Sequence, residues 1–89
     1  MKDSYNCTIT ERAYNMAKKL KITNNIRKLR FFADEMTQQQ LAEKTGASRQ
    51  TIVAVEGGKY SPSLELAFCI ADAFGVAIGE VFDYEVEGD

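Results

Sequence analysis

The chain has 89 residues, 45% of them hydrophobic and 27% charged, with two cysteines and no histidine. That is one globular domain without the commonest general base, without a Ser–His or Cys–His pair and without a zinc ligand set, so no enzyme, metal site or cofactor is expected. The net charge of −2 hides a split: residues 1–59 hold all 11 Lys and Arg, whereas residues 60–89 hold acids and no cation.

Such a split suits one face turned to a polyanion and another turned away, although charge alone would favour a solvated acidic tail. No apolar run approaches the roughly 20 residues of a membrane span. The N-terminus, MKDSYNCTITER, lacks the apolar core of a secretory signal, and a cytoplasmic location with no membrane contact is expected. A chain this short buries only about 60–65% of its unfolded surface, so a partner subunit would help it.

Residues 5–10, YNCTIT, alternate Tyr5, Cys7 and Ile9 with polar neighbours, the period of a short strand. A helix over about 10–20 follows, with Ile9, Ala13, Met16, Ala17 and Leu20 on one face and Thr8 with Glu11 as a capping box. It packs on the domain or meets a second subunit, and the residues do not choose. After TNN, a second helix spans about 24–33 through Ile26, Leu29 and then Phe32 or Ala33. Arg27, Lys28 and Arg30 lie among them, and no acid occurs between residues 12 and 33. ADEM makes the next connection.

Thr37 opens a third helix as N-cap, with Gln40 as capping-box partner, Leu41 and Ala42 facing inward and Gly46 ending it. Ser48 caps a fourth helix that buries Ile52 and Val55 and stops at Gly57–Gly58. With so short a link these two helices must cross steeply, as a helix-turn-helix. Pro62 and Ser63 start a core helix carrying Leu64, Ala67, Phe68, Ile70, Ala71 and Phe74, which Gly75 ends. A further short helix at about 78–82 is weakened by Gly79. Phe82, Tyr84 and Val86 then alternate with acids, the period of a terminal strand.

Counting from Gln38 as first position, Ala42 is fifth, Gly46 ninth, Ile52 fifteenth and Val55 eighteenth. The fifth must be small because a helix crosses there, the ninth makes the turn, and the others anchor the last helix. With these requirements met, IRKLR…MTQQQLAEKTGASRQTIVAVEGGKYSPSLELAFCIADAFGV resembles the phage-repressor/Cro-like, or Xre, helix-turn-helix family, in its short stand-alone bacterial form. The resemblance covers about Asn24 to Phe82. It implies an all-α, five-helix lambda-repressor-like DNA-binding domain at 24–82. Residues 1–23 would add a strand and a helix, and residues 83–89 an acidic tail or short β-strand. Three departures stand out: FFADEM is about one residue longer than usual, Ala77 and Gly79 replace a polar cap and an acidic helix former, and Gly57 replaces a common asparagine.

The resemblance also implies roles. The members bind operator DNA as dimers and regulate transcription, which makes double-stranded DNA the expected partner and a homodimeric repressor the expected state. Arg49, Gln50, Val53 and Ala54 form the face that enters the major groove. Arg suits guanine, Gln suits adenine, and the two short apolar residues suit thymine methyls. Gln38, Ser48, Thr51, Lys59 and Tyr60 are the candidates for phosphate contact, and Arg30 is expected to pair with Glu56. The dimer surface is expected at Ile78, Val81, Phe82, Tyr84 and Val86, with the N-terminal strand or helix as a second choice. The alternative is a protein-interaction module that keeps this fold, such as an antitoxin binding a toxin. In that case the N-terminal helix and acidic tail would engage a protein partner.

Overall fold

Five helices and a two-stranded antiparallel ribbon make up residues 19–86, the part of the chain described by the computed structural model. The strand and helix expected before Lys19 lie outside the described residues, as do the last three residues of the acidic tail. In chain order the elements are β1 (Leu20–Asn24), α1 (Ile26–Phe32), α2 (Gln38–Thr45), α3 (Arg49–Glu56), α4 (Leu64–Phe74), α5 (Ile78–Val81) and β2 (Phe82–Val86).

The helix ends follow local chemistry. Thr37 Oγ1 accepts the Gln40 backbone N–H at 2.9 Å while the Gln40 side chain accepts the Thr37 N–H at 2.8 Å, a complete capping box for α2. Ser48 caps α3 through the Thr51 N–H, and Ser63 caps α4 through the Leu66 N–H. Gly46 ends α2 at φ +80°, a left-handed conformation that costs glycine nothing. The α1–α2 connection turns instead through two side-chain-bearing left-handed residues, Asp34 (φ 65°) and Glu35 (φ 57°). Aspartate tolerates that region better than glutamate does. Met36 follows them into the core, its N–H donating to the Arg30 carbonyl at 2.9 Å.

One core unites all five helices. Ile26, Leu41, Ile52, Val55, Ile70 and Val81 are its largest fully buried side chains, with Met36, Ala42 and Ala71 completing it. Each large side chain contributes about 1.5–3 kcal/mol by leaving water. Ala42 lies where α2 meets α3 and is 1% exposed, so the small residue required at the helix crossing is in place. Of the two residues offered as the last inward position of α1, Ala33 packs on the core and Phe32 faces out.

Several expectations need correction. Leu20 does not end a helix: it starts β1, which pairs antiparallel with β2 in the register Leu20↔Val86, Ile22↔Tyr84 and Asn24↔Phe82. The boundaries expected at 23/24 and 82/83 therefore run through the two strands, and the ribbon joins both flanks to the domain. Not every apolar residue of the expected core helix is buried: Leu64 and Phe68, one turn apart on α4, are exposed. Val81 belongs to no intersubunit face: it is 0% exposed and sits in the chain's own core. Helix α5 forms without a side-chain cap at Ala77 because tertiary contacts hold it, the Asn25 N–H donating to the Val81 carbonyl at 2.8 Å and Asn25 Nδ2 to the Glu80 carbonyl at 3.1 Å.

Candidate nucleic-acid interface

Helix α3 is amphipathic in the simplest way. Ile52 and Val55, three residues apart, anchor it in the core, which turns Arg49, Gln50 and Val53 outward. These three line one surface depression together with Ala54, Gly57 and Lys59. All four residues expected to read bases are thus side by side, Ala54 half-buried at the base of the group. Its composition is a cation, an amide and short apolar groups, which matches the donors, acceptors and methyls on base edges.

The residues expected to hold phosphate are placed less uniformly. Lys59 joins the α3 depression. Gln38 is the first residue of α2, half-buried, its Nε2 3.5 Å from Glu56 Oε1. Ser48 and Thr51 share a hydroxyl–hydroxyl bond of 2.9 Å at the start of α3, so each is already engaged locally while keeping further hydrogen-bonding capacity. Tyr60 stands apart from the α3 depression. It lines a groove between the ribbon and the α3–α4 loop, with Leu20, Ile22, Pro62 and Phe82. That loop turns at Gly58, whose φ of +77° is again left-handed.

Two side-chain clamps fix α3 in place. Arg30 of α1 meets Glu56, the last residue of α3, through two bonds, Nε to Oε1 at 3.0 Å and Nη2 to Oε2 at 2.8 Å. Its remaining nitrogen, Nη1, donates to the Met36 carbonyl at 2.9 Å. The side chains are only 18% and 13% exposed, so this bidentate pair is largely withdrawn from water. Arg30 thus ties the end of α3 to α1 and to the α1–α2 connection.

The second clamp, Asn24, is absent from the sequence reading. Its Nδ2 donates to the carbonyls of Val55 (3.2 Å) and Glu56 (3.3 Å), and its Oδ1 accepts the Ile26 N–H at 3.0 Å. One amide thus satisfies orphan groups at the C-terminus of α3 and the N-terminus of α1. An asparagine before a helix start signals the local bond, but nothing local signals a partner 31 residues away.

The five helices, the tight α2–α3 turn and the exposed polar face of α3 define a helix-turn-helix domain of the DNA-binding class. A family model described as helix-turn-helix, HTH_3, matches residues 26–81. The chain belongs to that family, the Xre/Cro-like helix-turn-helix proteins.

Among similar proteins, an uncharacterised HTH-type transcriptional regulator of Methanocaldococcus jannaschii is 62% identical over 50 residues, 56% of this chain and 76% of that protein. The uncharacterised HTH-type transcriptional regulator YgzD of Bacillus subtilis is 45% identical over 51 residues, 57% of this chain and 77% of that protein. An immunity repressor protein of Bacillus phage phi105 is 37% identical over 51 residues, 57% of this chain but 35% of its own length. No helix among the described residues is long and apolar enough to cross a membrane.

Proposed function

We propose that this protein is a sequence-specific regulator of transcription that represses by binding operator DNA as a homodimer, with α3 in the major groove. The observation that carries the reading is the outward face of α3, where Arg49, Gln50, Val53 and Ala54 sit together beside Lys59. None of the four is needed for the core, and in this fold class that face reads base edges. A helix is 10–12 Å across with its side chains and the major groove about 12 Å wide, so elements flanking α3 abut the two DNA backbones. Gln38, Ser48 and Thr51 serve one backbone, and Lys59 and Tyr60 the other. The relatives named as transcriptional regulators and the phage immunity repressor support regulation, and repression in particular.

A second copy of the chain would cover the ribbon. Residues paired across the strands share a face, so Leu20, Ile22, Tyr84 and Val86 form one apolar surface, each between 40% and 58% exposed. A two-stranded ribbon is marginal in water unless something packs on it. Ile78 and Phe82, both half-buried, extend this surface toward the domain. One α3 reads only a few base pairs, and a two-fold dimer adds a second half-site about 34 Å away.

Titration of labelled duplex DNA at two salt concentrations tests the binding itself. Affinity should fall steeply as salt rises, because each neutralised phosphate releases counterions. Affinity that is absent at low salt would refute the reading and favour a helix-turn-helix turned to a protein partner.

A further inference from the structure

Helix α1 carries an exposed face that neither the core nor the residues assigned above account for. Phe31 and Phe32 are 62% and 69% exposed, and their rings meet edge to face, with centroids 5.4 Å apart and an interplanar angle of 72°. Two large apolar side chains held together in water at the end of a helix are a cost that a partner would remove.

Their surroundings indicate which partner. Phe31 and Arg27, one helical turn apart, line a groove with Gln38, Gln39 and Arg49, which also includes Arg30 and the single acid Glu35. The same two side chains line the adjoining groove with Lys28, Gln38, Val53 and Gly57. The α1 face is thus continuous with the N-terminus of α2 on one side and with the reading face of α3 on the other. Because Arg30 is neutralised by Glu56, the cations this surface offers are Arg27, Lys28 and Arg49. Among the described residues, neither Arg27 nor Arg49 has a carboxylate within ion-pair distance.

We infer that Arg27 and Phe31 form a second backbone-holding element of the DNA site. Arg27 pairs with a phosphate of the strand that Gln38 faces, and Phe31, propped by Phe32, packs on the adjacent deoxyribose. This rests on the DNA-binding reading and adds to it a contact that carries no sequence information. The chemistry fits a sugar–phosphate chain better than a protein groove, because a fork of donors stands beside an apolar ring at the spacing of one helical turn. Each DNA residue likewise presents an anion and an apolar sugar face.

The test compares the parent, Arg27→Gln, Arg27→Lys and Phe31→Ser in titrations of one bound duplex and one unrelated duplex, across salt concentrations. Arg27→Gln should lower affinity for both duplexes alike and reduce the salt slope by about 0.9. That shrinks the loss of affinity between 50 and 200 mM salt by about three- to fourfold. Arg27→Lys should restore the slope. Phe31→Ser should weaken binding roughly fivefold with the slope unchanged, the mark of an apolar contact. Both side chains are exposed, and equal melting temperatures would show that the fold is kept. A parent that binds with Arg27→Gln and Phe31→Ser indistinguishable from it overturns the inference alone. A parent that binds no duplex overturns the DNA-binding reading with it.

Discussion

Replacing Glu56 with glutamine keeps the shape of the side chain and removes its charge from Arg30. The parent pair makes two charge-assisted bonds of 3.0 and 2.8 Å. A glutamine can accept one of the two N–H groups, but its own amide then points donor against donor at the other. Losing a hydrogen bond to a charged group costs about 1.5–3 kcal/mol. Breaking a fully buried ion pair costs about 3–5 kcal/mol, and this pair retains some exposure and the bond from Arg30 to the Met36 carbonyl. The expected destabilisation is therefore about 2 kcal/mol, a fall in melting temperature of roughly 8–16 °C for a domain of this size. Thermal unfolding followed by far-UV circular dichroism measures it. A variant that melts with the parent would refute the idea that this pair holds α3, whatever its geometry. The double variant Arg30→Met/Glu56→Leu, which removes both charges, should lose less than Glu56→Gln alone.

Asn24→Ala should lower stability by about 1–3 kcal/mol, since three part-buried backbone groups lose their partner. Hydrogen exchange should quicken first at the α1 start, where the Ile26 N–H is freed. Arg49→Ala should relax the preference at one base position by about 1–3 kcal/mol, read as a changed binding-site profile at constant salt. Lys59→Ala should instead weaken all duplexes alike and lower the salt slope by about 0.9. Tyr84→Ser should raise the dimer dissociation constant about tenfold or more in sedimentation equilibrium, with little change in the fold because Tyr84 is 58% exposed. A monomer at high micromolar concentration in the parent would remove the ribbon from the account.

The central bihelical unit is legible from the sequence because its determinants are local. Thr37, Gln40, Gly46, Ser48 and Gly57–Gly58 punctuate it, and Leu41, Ala42, Ile52 and Val55 set its inward side within a few residues of each cap. The resemblance to a family adds Arg30–Glu56, a pair 26 residues apart that periodicity alone could not propose. Strand β1 was illegible for the opposite reason. Leu20 continues a helical spacing that begins at Ile9, and only pairing with residues 58 to 66 positions away makes Leu20–Asn24 a strand. The same holds for Asn24 and Asn25, which look like the start of a helix until α3 and α5 fold beside them. The exposed Leu64 and Phe68 show the limit of an apolar count, since Ala67, Ile70 and Ala71 already fill the one face of α4 that the core accepts. At the candidate site, the outward face of α3 follows from what the core leaves over. The aromatic end of α1 beside it needed the fold to bring Arg27 and Phe31 next to Arg49 and Val53.

The most direct test of base reading by α3 is selection from a pool of random duplex DNA, with sequencing of the bound fraction. A dimer with α3 in the major groove should enrich a two-fold-symmetric site whose half-sites are centred about 10–10.5 base pairs, or one helical turn, apart. In the same experiment, Arg49→Ala should blur one position in each half. Retention of DNA with no enriched sequence would contradict the claim that α3 reads bases.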